Sequence, residues 1–275
     1  MERISTDISE ISNLNLSFNT EYELVIKINE IEYYLMVYLK ELNNKFLILS
    51  NGAVDPKKKA PPVYMRSSWV DQIEASCIFI DDPTLHATDM RLGWGQGNRE
   101  NFALENISEI LEKLFKYFNV QDKNVYFYGS SAGGFMSLYY SILFPGTTAI
   151  VNNPQTKVLN YMPSYVKKML RNSYGINDIN NVDEDLIYRL AINEAIKKYN
   201  VIPKKIYYLQ NSLCENDIEQ HLNPFLSDLK KDNIEVTGLN IISYFKENLG
   251  HNPLPQRITL QYIHLILENK LDMNL

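Results

Sequence analysis

Tyr126-Phe127-Tyr128-Gly129-Ser130-Ser131-Ala132-Gly133-Gly134-Phe135 is the stretch on which the fold turns. It contains Gly129-x-Ser131-x-Gly133, a weak signal alone because turns are rich in small residues. Its setting is specific. The apolar run Val125 to Tyr128 enters it as a strand, and Phe135, Leu138 and Ile142 leave it as one face of a helix that Pro145 stops. A serine in such a turn sits on strained backbone, where flanking side chains would collide with the adjoining strand and helix. Glycine at 129 and 133 removes those side chains. The turn lifts the Ser131 hydroxyl above the sheet at the positive end of the helix. It also leaves the Ala132 N–H to face a developing oxyanion. Ser130 is the competing hydroxyl, but the register of the motif favours Ser131. The bland alternative is a turn that packs helix on strand, or binds an anion.

Outward from this turn the chain alternates strands and helices. Phe46 to Leu49, Cys77 to Ile80, Ala149 to Val151 and Ile206 to Leu209 are continuously apolar, as strands covered on both faces are. Ile241 to Phe245 closes the series. Ala103, Ile107, Ile110, Leu111, Leu114 and Phe118 form one helical face, and residues 156–172, 184–199, 217–230 and 256–268 also read as helices. This alternation predicts an α/β fold, a mostly parallel sheet with helices on both faces. Before it, Leu24, Ile26, Ile28 and Ile31, Tyr33, Leu35, Val37 predict an N-terminal antiparallel hairpin within 1–40, turning near Asn29-Glu30. The reading is one domain over 1–275, with 154–200 as a helical cap insertion over the sheet's C-terminal edge.

Composition narrows the function classes. A chain of 275 residues buries one sizeable core. Its net charge of -6 makes nucleic acid an unexpected partner. Cys77 and Cys214 form no CxxC pair, and one disulfide between them stays open. The polar start MERISTDISE and the absence of a run of ~20 apolar residues predict no transmembrane segment and a cytoplasmic location. A homo-oligomer stays open.

A strand–turn–helix with serine at its tip resembles the nucleophile elbow of α/β-hydrolases, whose catalytic groups follow in the order serine, acid, histidine. A serine hydroxyl needs a base, and the base an orienting carboxylate. Of the four histidines, His86 precedes the serine and His264 falls inside the last helix, leaving His221 and His251. His251 lies on the loop after the final strand, beside Gly250, and is the expected base. The loop after Ile206 to Leu209 offers Glu215 and Asp217 as the acid, and Asp217 doubles as an N-cap for the helix beyond. Gly52 or Ala53, after Phe46 to Ser50, is expected to present the second oxyanion N–H. Gly93-Trp94-Gly95-Gln96-Gly97 lacks the GxGxxG pattern of a dinucleotide site. Trp94 there either stacks on substrate or covers the core. Asp81-Asp82 is an acidic pair without evident histidine partners, so no metal is expected.

The elbow, Asn153-Pro154-Gln155-Thr156 and Asp217-x-x-x-His221 together resemble bacterial capsule-biosynthesis proteins of α/β-hydrolase fold. These include capsular polysaccharide O-acetyltransferases and the acyltransferase-like proteins of accessory secretion systems. The resemblance spans roughly residues 45–255 and does not cover the N-terminal hairpin. It implies transfer of an acetyl group to a sugar hydroxyl through an acyl-serine, with Ser131, Asp217 and His251 as the triad. It also implies acetyl-CoA as donor, no permanently bound cofactor, and a carbohydrate or acyl-ester substrate; Trp94, Ser130 and His221 are the candidate substrate contacts. The competing readings are a carboxylesterase or deacetylase acting on glycans, and a glycan-binding protein that keeps the fold without catalysis.

Overall fold

The computed structural model describes residues 1–28, 31–41 and 44–271. The expected hairpin turn at Asn29-Glu30 lies outside the described residues.

Among the described residues nine strands form one sheet: β1 (Glu2–Asp7), β2 (Glu21–Ile28), β3 (Ile31–Tyr38), β4 (Phe46–Ser50), β5 (Ser76–Ile80), β6 (Val125–Ser131), β7 (Thr148–Pro154), β8 (Lys205–Asn211) and β9 (Leu239–Tyr244). Their spatial order is β1-β2-β3-β5-β4-β6-β7-β8-β9. From β5 to β9 every pairing is parallel, while β3 is antiparallel to both β2 and β5. The predicted hairpin is therefore present as β2 and β3. β1, which no hydrophobic pattern marks in the sequence, pairs parallel with β2. Its residues Arg3, Ser5 and Asp7 and its exposed face hide it, because an edge strand needs no apolar alternation.

The helices are α1 (Ala103–Tyr117), α2 (Ala132–Leu143), α3 (Pro163–Tyr174), α4 (Ile187–Leu190), α5 (Ile192–Tyr199), α6 (Glu215–Asp217), α7 (Asn223–Lys231) and α8 (Gln256–Leu267). One sheet face packs against α1, α2, α5 and α7, with Ile107, Phe135, Ile196 and Phe225 buried there. On the opposite face Ile263 and Ile266 of α8 pack against Leu47, Phe79 and Tyr126. Cys77 is buried in β5, and neither it nor Cys214 is in a disulfide.

Three predicted helices are broken for identifiable reasons; the one over 184–199 is split into α4 and α5 at Ala191, whose extended backbone bridges to Lys157. The 156–172 pattern gives a 3-10 turn at Val158–Asn160 and becomes α-helical only at Pro163, because Lys157 is held in a bridge with Ala191. The 217–230 pattern contains a π-turn, Ile218–Leu222, where the chain approaches Pro224. Proline has no N–H to give the carbonyl four residues back. Asn160 Nδ2 donates to that Gln220 carbonyl instead (2.8 Å), and Thr156 Oγ1 donates to the next one, at His221 (2.7 Å).

Candidate active site

The elbow stands where β6 meets α2. Ser131 has φ 56° and ψ −125°, a conformation that costs a non-glycine residue of the order of 1–3 kcal/mol and persists only when the surroundings fix it. The glycines explain how they do so. A Cβ at Gly129 would stand 2.0 Å from the Gly133 carbonyl oxygen, and one at Gly133 would stand 2.6 Å from the Ser50 carbonyl oxygen. Strand, helix and the end of β4 thus approach closer than any side chain permits. Ser131 is only partly buried at the head of α2, whose first residue is Ala132.

His251 arrives from the loop after β9, its Nε2 2.8 Å from Ser131 Oγ. Its Nδ1 lies 2.7 and 2.8 Å from the two carboxylate oxygens of Asp217. The Asp217 side chain is 2% exposed and the imidazole 33%, so the carboxylate is shielded while the ring remains reachable. Glu215 is exposed, and Asp217 is the acid that meets the histidine. The expected capping role fails, for the Asp217 side chain caps no helix; His251 engages both its oxygens.

No family model matches the chain, and no curated protein does. Solved structures do. The capsule O-acetyltransferase of Neisseria meningitidis serogroup A, a variant in complex with CoA, aligns with a TM-score of 0.61 at 18% identity, covering 94% of this chain and 99% of that one. Dipeptidyl peptidase 4 of Porphyromonas gingivalis aligns with a TM-score of 0.64 at 12% identity, covering 93% of this chain and 36% of that one. Prolyl oligopeptidase B of Galerina marginata gives 0.60 at 11%, over 91% and 36%. The chain has the α/β-hydrolase fold. At these identities the likeness speaks for the fold, and for a resemblance in structure to a capsule O-acetyltransferase.

Within the hydrolase fold, three expected substrate contacts are corrected. Of the two readings of Trp94, substrate stacking or core cover, the second holds: it is wholly buried, with its Nε1–H donated to Gln155 Oε1. A left-handed turn at Trp94 and Gly95 folds the indole inward, where its edge meets Tyr161. His221 is also wholly buried, stacked on Tyr161 at 6.4 Å, with no hydrogen-bond partner at either ring nitrogen among the described residues. Burial pushes its pKa down to about 4, although Asp217 pulls the other way. Ser130 is 4% exposed and accepts from Arg66 Nη2 (2.7 Å), whose guanidinium lies over the Tyr128 ring. All three support the site from beneath rather than face a substrate.

Around the oxyanion position, the loop Asn51–Ala53 runs beside the elbow. Asn51 is pinned by its side chain to the Val63 carbonyl and the Met65 N–H. The Gly52 N–H points at Met65 Sδ (3.2 Å), and Ala53 is exposed. Asp81 does have a histidine partner after all: His86 Nε2 lies 2.5 Å from Asp81 Oδ2. Asp82 is committed to the Thr84 and Gly95 N–H groups.

Two asparagines and a glutamine were given no role by the sequence reading. Asn153 is the extra residue of a bulge, since Ser130 pairs with Asn152 while Ser131 pairs with Pro154. At φ 44° its side chain swings up to donate to the His251 and Asn252 carbonyls and to accept the Asn211 N–H. Asn211 donates in turn to the Lys246 and Gly250 carbonyls. The histidine loop is thereby fastened to the ends of β7 and β8. The available signal was Asn-Asn at 152–153 closing an apolar strand, where such residues often mark a bend.

Proposed function

We propose that the protein is a serine acyltransferase that moves an acetyl group from acetyl-CoA to a carbohydrate hydroxyl, the acceptor being a bacterial surface or capsular polysaccharide. The observation that carries the reading is the unbroken series Ser131 Oγ, His251 Nε2, His251 Nδ1 and Asp217, each step within 2.8 Å. The resemblance to a capsule O-acetyltransferase supports the substrate class.

In this mechanism Ser131 Oγ attacks the thioester carbonyl as His251 Nε2 takes its proton. The C–O bond forms, the C–S bond breaks, and the departing thiolate takes the proton back from His251. A sugar hydroxyl then attacks the acyl-serine and gives its proton to His251, which returns it to Oγ. Asp217 holds the imidazole in the tautomer that leaves Nε2 free to accept. The Ala132 N–H stabilises the oxyanion, and the Ala53 N–H joins it, since Gly52 is turned to Met65. Of the 154–200 segment, the stretch around Tyr161, whose ring lies 6.2 Å from that of His251, limits water at the acyl-enzyme, while α5 packs on the sheet face.

Labelling with a fluorophosphonate tests the enzyme reading. The wild type is expected to label and Ser131→Ala to remain unlabelled; a wild type inert to the probe would count against catalysis. Acetyl-CoA consumption with and without added polysaccharide separates the transferase from an esterase, because an esterase turns over equally in both. Asp217→Asn is expected to lower the labelling rate by about 10⁴-fold through the wrong imidazole tautomer.

A further inference from the structure

We propose that Gln155 is a positioning residue for Ser131, turning the hydroxyl hydrogen toward His251. This rests on Ser131 being the nucleophile. Gln155 is wholly buried directly after β7. Its backbone N–H donates to the Ser131 carbonyl (3.2 Å), and its side-chain Nε2 lies 3.1 Å from Ser131 Oγ.

The orientation of the amide is dictated by chemistry. The Trp94 indole nitrogen can only donate, so the glutamine atom facing it must be oxygen. The NH₂ end is then the end that meets Ser131. A hydroxyl has one hydrogen and two acceptor positions. With an N–H of Gln155 on the acceptor side, a hydrogen turned toward Gln155 would meet another hydrogen. It is left to point at His251 Nε2, 2.8 Å away. Donors therefore run one way, from Trp94 through Gln155 and Ser131 to His251, and such series reinforce each other. The rotational cost of aiming the hydroxyl is met before substrate arrives. As the proton leaves Oγ, the Gln155 bond becomes charge-assisted and roughly twice as strong.

The support is rigid. Trp94 is sealed in the core with its edge on Tyr161. Burial raises the pKa of the Tyr161 phenol, and the Gln155 amide counters part of that rise.

Two substitutions separate positioning from packing. Gln155→Glu is nearly isosteric and still accepts the Trp94 N–H, but it presents an acceptor oxygen to Ser131 and draws the hydroxyl hydrogen away from His251. Gln155→Leu removes the N–H without adding an acceptor, and strands the indole donor. Positioning predicts that the glutamate variant labels with fluorophosphonate at least about 30-fold more slowly than wild type, and the leucine variant only about 3- to 10-fold. With p-nitrophenyl acetate, kcat is expected to fall while KM holds. A merely structural role predicts the reverse ranking, with leucine the worse variant in both melting temperature and rate. A glutamate variant that labels as fast as wild type, or faster than the leucine variant, overturns the proposal. Should the glutamate variant not fold, Trp94→Phe frees the amide to flip. It is expected to label several-fold more slowly with an unchanged circular dichroism spectrum, and a wild-type rate there would overturn the assignment. Labelling that survives in Ser131→Ala would instead defeat the nucleophile reading itself.

Discussion

At the scale of the residue, His221 shows how far packing governs this site. A histidine four positions after Asp217 looks like a ligand contact in the sequence, yet the ring is sealed and has no hydrogen-bond partner among the described residues. Its pKa, held down by burial from 6.5 to about 4, has a thermodynamic consequence. Between those values the unfolded chain binds a proton that the folded chain refuses, so acidification favours unfolding there. The contribution is complete above about pH 6.5 and is lost on descending toward pH 4, by on the order of 3 kcal/mol at most. His221→Phe keeps a ring against Tyr161 and removes the proton site. The gap between urea midpoints at pH 7 and pH 4.5 is expected to be narrower in that variant. An equal gap in both proteins would mean that His221 does not titrate in this range. The meeting of Ser131, Asp217 and His251 was legible because chain order and loop placement single them out. The inward turn of Trp94 was not, since its partner Gln155 lies 61 residues on in the sequence.

At the scale of the element, the elbow and the bulge divide the work of bringing Ser131 and His251 together. The apolar strands were legible because both of their faces are covered, a condition that writes itself into unbroken hydrophobic runs. Helix limits around the site were less so. Pro163 and Pro224 mark where helices start or distort, but the bridge at Lys157 and the side chain of Asn160 that settle the matter come from elsewhere in the chain. The same holds for Asn153, whose bulge appears only when β6 and β7 are paired. Gly129→Ala sets two backbone segments in collision and is expected to cost about 3 kcal/mol or more, visible as a large fall in melting temperature. Asn153→Gly preserves the left-handed backbone but cuts the ties to the His251 loop. Labelling is expected to slow at least tenfold while the protein stays folded, because the loop then samples positions away from Ser131. A wild-type labelling rate in that variant would show that Asn211 alone fixes the histidine.

At the scale of the whole molecule, the sheet order separates the N-terminal strands from the chemistry. β1 lies at one edge, and β2, β3, β5 and β4 intervene before β6 and the elbow. A side-chain route does cross part of that distance. Arg3 reaches the largely buried Glu23 at 3.5 Å, and Glu23 accepts from the Tyr64 hydroxyl (2.9 Å) in the segment that also carries Met65 and Arg66. The first link is weak, because Arg3 is mostly exposed and surface ion pairs contribute about 0–1 kcal/mol. The second survives without Arg3, since Tyr64 still donates to the carboxylate. Removal of residues 1–7 is therefore expected to lower the melting temperature by about 5 °C, through the lost ladder with β2 and the lost cover of Ile4. The fluorophosphonate labelling rate at 25 °C is expected to stay within twofold of wild type. A truncated chain that keeps its circular dichroism spectrum but labels slowly would show that the edge strand acts on the elbow through Glu23 and Tyr64. Glu23→Gln in the full-length chain would then reproduce the slowing, whereas under the present account it leaves the rate unchanged.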